Sequence, residues 1–517
     1  MRKLTLLLCI TLFSGNINAI KYSDKNYLSV RPHLANLAMQ QTTWHTNLYQ
    51  KPDAKYNGTI QVTPFYQEST NKSDIGKYFG FDWTSINPNR GIENIISVQS
   101  PQAQPTANGT GINEKVFNSN FIIHNQGAVN TLAAEYYMNP NQEVWGARID
   151  YHQDLDKILN GLYFRISTPL VEIKNHFEIS PVHAETSQIV PTLGTSVTFL
   201  DYLAGRVENV VDANNLQDPL KYAKIDGATH STSGFADIDI RLGYKYLYKR
   251  WMRAGINASV LAPTGKTPKG EWLFEPVHGN GHHWGIGAGL DFSLVLWQKN
   301  NKSIEFSIMA DYKYLFQGIE KRTMDFFNPN PALRTAMKGG QYVLGGQEGV
   351  AGVFPLANIL TQDFKITPGS QLDGIANLNI NCNNWIIDLG YNLFIKEREE
   401  AHLRFPWEND KYAMAGITYD TANNFLVTTA GGAATTRAYA DGLMANATNA
   451  SIQENYLDYN SIISPNAVSH KIYGGIGYQW SKYKCPVMLG LGGSYEFVQR
   501  NSALEGWSVW TKLGISW

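Results

Sequence analysis

Past its first twenty residues the 517-residue chain has no run approaching the roughly 18 to 20 apolar residues that a membrane-spanning helix needs. An excess of one charge is also missing. With 43 Lys and Arg against 44 Asp and Glu, the formal net charge is -1, so no clustered basic surplus exists to neutralise a phosphate backbone and no nucleic-acid partner is expected. Cysteine is scarce: Cys9, Cys382 and Cys485. Cys9 falls inside the N-terminal apolar core, which leaves one pair in the exported chain. Either a disulfide or two separate thiols fits that pair, because sequence does not supply the Cα separation a bridge demands.

What is present begins with an export signal. Arg2 and Lys3 precede an apolar core over 4–13, and Ile17-Asn18-Ala19 ends on a small residue suited to cleavage. Residues 1–19 therefore read as a signal peptide. For an exported chain without a helical anchor, a closed β-barrel remains the way to cross a bilayer, since every backbone N–H and C=O must be paired. A mean hydropathy of -0.28 suits strands of which only alternate residues meet lipid.

The last stretch shows that alternation. Trp507, Val509, Thr511, Leu513, Ile515 and Trp517 form one face, and Ser508, Trp510, Lys512, Gly514 and Ser516 the other. An aromatic terminal residue with apolar residues two and four places before it resembles the assembly signal of bacterial outer-membrane barrels, carried here by Leu513, Ile515 and Trp517. Alternating segments recur at 59–66, 116–124, 129–138, 143–151, 161–171, 234–248, 251–263, 283–297, 303–316, 371–381, 385–396, 471–480, 486–498 and 504–517. The expected fold is all-β, a transmembrane antiparallel barrel of about 14 strands, within a range of about 12–16. Its connections alternate between two ends. One end has only short turns; the other has all the long ones, at 67–115, 172–233, 264–282, 317–370 and 397–470. Short periplasmic turns opposite long extracellular loops is the outer-membrane arrangement, and a soluble sandwich has no reason to sort its loops by parity.

Residues 20–56 do not alternate. Val30, Leu34, Leu37 and Ala38 have helical spacing, followed by Trp44, Leu48 and Tyr49. The segment suits a plug inside the barrel or a periplasmic tail, ahead of a barrel over 57–517 with both termini in the periplasm. Within the loops, 198–207, 216–223 and 436–445 have a helical look. The 351–360 stretch is apolar enough to fold inward or pack on another loop, and 430–435 is rich in small residues.

Inward parity falls on residues of both signs: Arg148, Asp150, Arg165, Asp237, Asp239, Arg241, Arg253, Glu305, Asp311 and Lys313, with Glu135, Lys245, Asp291, Asp388, Lys396, Glu496 and Lys512 beside them. They could pair with one another and stiffen the wall, or line a substrate path. His278, His282 and His283 cluster near Glu275, a conceivable metal set that reads more simply as loop histidines. His152 and Ser167 lie on neighbouring strands without any motif for nucleophilic catalysis. No catalytic, cofactor-binding or metal residues are assigned, no cofactor is expected, and the chain does not read as an enzyme.

One unit carries a family likeness. Gly234-Phe235-Ala236-Asp237 opens an alternating strand, which turns tightly at Lys249-Arg250 into a strand ending Pro263-Thr264-Gly265-Lys266. Gly279-Asn280-Gly281 follows, then Gly285, Gly287 and Gly289. This resembles the middle of FadL-type hydrophobic-compound transporters and the related outer-membrane proteins of phenol (MetA-pathway) degradation, which pair a Gly-x-x-Asp strand start with a Pro-Thr-Gly loop start. The resemblance implies diffusive uptake of small apolar or aromatic compounds and carries over no ligand residues. A general porin for polar solutes, or a surface barrel whose long loops bind a partner, are the alternatives. The expected partners are outer-membrane lipid, the barrel-assembly machinery and a small-molecule permeant.

Overall fold

The computed structural model describes residues 22–43, 58–80, 92–99, 117–118, 133–182, 198–208, 217–326, 340–347, 354–414, 417–420, 425–428, 452–480 and 484–517. Twelve strands build the wall: β1 Gly58–Ser69, β2 Ala133–Asp154, β3 Leu162–Pro181, β4 Ile238–Lys249, β5 Met252–Ala262, β6 Gly285–Lys299, β7 Lys302–Leu315, β8 Gly369–Cys382, β9 Trp385–Lys396, β10 Ala467–Trp480, β11 Val487–Val498 and β12 Gly506–Ser516. Each pairs antiparallel with its sequence neighbours, and β1 closes the ring between β12 and β2. Closure pairs the backbone of every strand on both sides, so no edge meets hydrocarbon.

The count is twelve and not fourteen, for two reasons. The segments expected at 129–138 and 143–151 are one strand, β2. Asn139-Pro140-Asn141 looks like a turn, yet these residues stay extended opposite Glu178, Phe177 and His176 of β3. Pro140 is tolerated because its nitrogen points to the other side, between Tyr137, the last residue paired with a short strand Ile95–Gln99, and Glu143, the first paired with β1. No ladder bond is lost there. The second surplus segment, 116–124, is described only at Phe117–Asn118, which pairs with Ile95–Gln99 and not with the wall; its remainder lies outside the described residues. Parity survives because two segments vanish together.

Period-two chemistry explains the wall. Leu242, Ile256, Ile286, Leu290, Leu389, Leu491 and Leu513 face outward and are exposed. Exposed aromatics flank this belt: Trp251, Trp297, Trp385, Trp480 and Trp517 near the short turns, and Trp145, Phe235, Trp284, Phe316 and Tyr495 toward the long loops. An apolar band between two aromatic girdles is the surface an outer-membrane barrel presents to lipid, and it places the chain in a bacterial outer membrane. Trp517 and Ile515 lie on this outer face, with β12 ending against Gly58 of β1.

Above the long-loop rim stands a cap with a core of its own. Ile75, Tyr78 and Phe79 of a helix α1 (Lys72–Phe79) pack with Phe177, Phe199, Tyr202, Leu203, Phe274, Tyr342, Leu356, Leu360, Phe364 and Trp407. The loop helix expected from residue 198 forms as Phe199–Leu203, closed by a Thr198–Asp201 capping box. None forms over 217–223, where Pro219 would break it and its carbonyl accepts instead from Asn358. The 354–360 stretch packs into the cap through Leu356, Ala357 and Leu360. Residues 1–19, 44–49, 430–435 and 436–445 lie outside the described residues. Cys382 and Cys485 are free thiols.

Candidate functional site

Inside the wall, charged side chains find partners. Arg241 donates to Asp239 at 2.9 Å and, three strands away, to Asp311 at 2.7 Å; Lys313 closes the group on Asp239 at 2.9 Å. Arg148 donates to Asp150, whose carboxylate also accepts from Gln61 and Ser167. Arg253 lies 3.6 Å from Glu305, and Lys245 reaches Asp154 at 2.6 Å. Asp237 has a different position from the other inward candidates. With a φ of +68° it sits at the outer rim just before β4, and its carboxylate accepts from the backbones of Thr264, Gly265 and Asn280 and from the Asn280 side chain. The Gly-x-x-Asp, Pro-Thr-Gly and Gly-Asn-Gly pieces are thus one hydrogen-bonded clamp on the 263–284 loop. Arg165 has no carboxylate partner among the described residues.

Residues 22–43 run through the middle of this lumen. Tyr22 exchanges hydrogen bonds with Asn501 in the outer turn between β11 and β12, so the start of the described segment lies at the outer mouth and not in the periplasm as expected. Arg31 donates to Glu496 at 2.9 Å, Asp373 at 3.0 Å and Asn392 at 2.7 Å. Leu34 packs on Leu261 and Leu315. A single helical turn, Leu37–Gln41, follows in place of the longer helix the spacing suggested. Its first N–H meets Asp373, while Lys512 donates to the carbonyls of Met39, Gln40 and Thr42 at 2.7 to 2.8 Å. Wall charges of the right sign therefore hold both ends of the turn.

Below the turn, Gln40 reaches Asp150 and Ser167, and the Thr43 N–H donates to Asp388. Thr42 and Thr43 rest on Gly475, Gly477 and Gly490; a Cβ built on Gly490 would come within 2.4 Å of the Thr43 hydroxyl. The close approach requires glycine there. Sequence reasoning missed Arg31, Gln40, Thr43, Asp373 and Lys471, the last lying 3.1 Å from Glu496. Asp373 and Lys471 had inward parity on their strands and were legible; the segment's residues had no periodic partner to reveal them.

At the outer end a second ionic group grips the segment. Arg322 is buried between Glu320, at 2.7 Å, and Glu399, lies 3.5 Å from the ring centre of Tyr27, and donates to the Ile462 carbonyl. His283 bonds Glu320 at 2.8 Å. Of the other histidines, His278 lies 3.2 Å from Thr232 and His282 lies 3.2 Å from the Gly265 carbonyl. Among the described residues no His, Cys, Asp or Glu group gathers to hold a metal. His152 turns to Asp154 and Ser167 to Asp150, so they make no catalytic pair.

Burial disfavours charge on both His283 and Glu320, but their mutual bond outweighs it for the histidine, and Arg322 with His283 outweighs it for the glutamate. The His283 pKa lies above its ordinary 6.5 and that of Glu320 below its ordinary 4.5. The histidine's contribution is full below 6.5 and lost as pH rises through its raised value. That of the glutamate is full above 4.5 and lost as pH falls through its lowered value. The cap is expected to resist proteolysis most strongly between these two ordinary values. In His283→Gln the alkaline decline should vanish, and a profile equally steep in both proteins would contradict the linkage.

Beside Tyr27, Leu28 and Val30 lies a narrow cleft bounded by Trp272, Phe274, Val277 and Leu315. It sets Tyr27, Trp272 and Phe274 beside the polar rim of the Glu320–Arg322 group.

No family model matches the chain, and no curated protein does. Among solved structures, an outer membrane channel from Pseudomonas putida F1 is 9% identical, covering 91% of this chain and 98% of that one at a TM-score of 0.34. A Pseudomonas aeruginosa FadL homologue is 7% identical over 95% and 98%, at 0.27. The Ralstonia pickettii toluene transporter is 10% identical over 97% and 98%, at 0.28. At such scores these are likenesses only, and function is argued from this chain's own geometry.

Proposed function

We propose that the barrel is a passive conduit for small hydrophobic or aromatic compounds, closed at rest by residues 22–43. The observation that carries this reading is the grip on that segment: Arg322 at the outer mouth, Asp373 and Glu496 midway, and Lys512 below, with the aromatic pocket beside its upper part. A solute entering between Trp272, Phe274 and Tyr27 would press on the segment itself. Passage then needs only the segment's displacement, since the wall is already closed to lipid. Leu513, Ile515 and Trp517, outward on β12, are the residues we assign to recognition by the assembly machinery.

Planar-bilayer conductance tests the reading. The intact protein should be nearly silent and a variant lacking residues 20–56 should conduct steadily; equal conductance in both would overturn the plug. Uptake of labelled toluene into vesicles should depend on the protein. The Asp239–Arg241–Asp311–Lys313 group favours a second reading, a porin for polar solutes. Vesicle swelling in small sugars by the intact protein, without toluene uptake, would select it.

A further inference from the structure

The short-turn rim of the barrel is unevenly charged. Three neighbouring turns, β2–β3, β4–β5 and β6–β7, join six consecutive strands, half of the ring. They and the strand ends beside them carry Lys157, Lys249, Arg250, Lys299 and Lys302, all exposed. The one carboxylate within these turns, Asp156, accepts from the Gly161 N–H at 2.7 Å. No ion pair joins Lys249, Arg250, Lys299 or Lys302 to a carboxylate among the described residues. Lys299 and Lys302 are even set directly opposite each other at the end of the β6–β7 hairpin, where like charges repel. The other half of the rim has Lys484 as its only cation among the described residues, and its β8–β9 turn is Cys382-Asn383-Asn384.

These cations lie on the lipid side of the wall. Lys302 has the parity of the exposed Ile308, and Lys299 that of the exposed Trp297. Lys249 stands opposite Met252, beside the exposed Trp251. In the β2–β3 turn, Ile158 and Leu159 follow Lys157 and are 76% and 52% exposed. A soluble polyanion would match the charges and leave these apolar side chains bare. The interfacial zone of a bilayer takes both, because tryptophan settles at headgroup level while lysine and arginine stems lie along apolar surface and raise their charge to the phosphates. We propose that this arc binds the phosphate groups of anionic phospholipids in the leaflet beside the short turns. It holds one half of the barrel against negatively charged lipid, and it does so whether or not the lumen conducts.

The test places the full chain in phosphatidylcholine vesicles and compares, by electron spin resonance, the association of spin-labelled phosphatidylglycerol and phosphatidylcholine with the protein. A preference for phosphatidylglycerol is expected, fading at high salt as the charges are screened. The preference should be lost when Lys249→Gln, Arg250→Gln, Lys299→Gln and Lys302→Gln are combined, and kept when the three lysines are changed to arginine. A control combining Lys221→Gln, Lys269→Gln, Lys365→Gln and Arg398→Gln removes four exposed cations from the outer loops and should keep it too. Heat-modifiable electrophoretic migration matching the parent's shows that each variant retains its barrel. Equal association of the two lipids with the parent, or a preference undiminished in the rim variant, overturns the proposal. Equal loss in the control would trace the preference to net charge and overturn it as well. Retention of sonicated peptidoglycan by the parent, with no lipid preference, would reassign the arc to an acidic wall polymer and reject the lipid site.

Discussion

Gly490→Val is expected to open the channel while leaving the barrel wall intact. All three atoms nearest a Cβ at this position belong to Thr43, at 2.4, 3.3 and 3.5 Å. The substitution therefore meets the threaded segment first. Overpacking of this kind costs about 1–3 kcal/mol, and at 1.4 kcal/mol per factor of ten it would raise the undocked population about 5- to 150-fold. The gain should appear as long open events in bilayers, together with labelling by a thiol reagent of a cysteine placed at Thr43. Gly475→Val is a poorer probe, since its Cβ would also approach the Leu491 carbonyl at 2.9 Å. A silent Gly490→Val with an unreactive Thr43→Cys would mean that the lower seat does not hold the segment closed.

Arg322→Met should do the greatest damage to the cap. The change keeps an unbranched chain under the Tyr27 ring but leaves Glu320 and Glu399 buried without their cation, and breaking a buried pair by removing one partner costs about 3–5 kcal/mol. That burden falls on the outer sheet Gly318–Thr323, Thr361–Thr367 and Glu400–Leu403 and leaves the wall to its own hydrogen bonds. Faster hydrogen exchange is expected in these three strands and around Tyr27, with the wall strands unchanged. The triple change Arg322→Met, Glu320→Gln and Glu399→Gln should recover much of the loss, because the stranded charges go with the cation. Uniform loosening of cap and wall would show that the two are not separable units.

Much of this barrel was legible because a wall between lipid and lumen imposes period two, and residues such as Leu242, Ile256 and Leu491 obey it. The misreadings have local causes. Asn139-Pro140-Asn141 carries turn chemistry, and only the gap between the partners of β2 explains why it remains extended. The end of β3 was placed near residue 171, whereas the strand continues to Pro181 beside the long β2. The charged lining was visible residue by residue, but its pairing was not: Arg241 meets Asp311 across the barrel's curvature, which no one-dimensional spacing encodes. Asp237 had the parity of a lumen residue and the conformation of a loop clamp. Arg31, Gln40 and Thr43 were hidden because their partners are fixed by threading, a property of the closed ring and of no local pattern.

The lengths of β2 and β3 have a consequence for where a solute is first captured. At about 3.4 Å per residue and a tilt near 40°, the 22 residues of β2 climb roughly 55 Å, about twice the height of the apolar band. Half of that staircase rises clear of the hydrocarbon, and the pocket meets it low down, at Gln142, roughly 8 Å beyond Trp145. An oily molecule entering there would be met just outside the outer aromatic girdle, close to where the hydrocarbon ends.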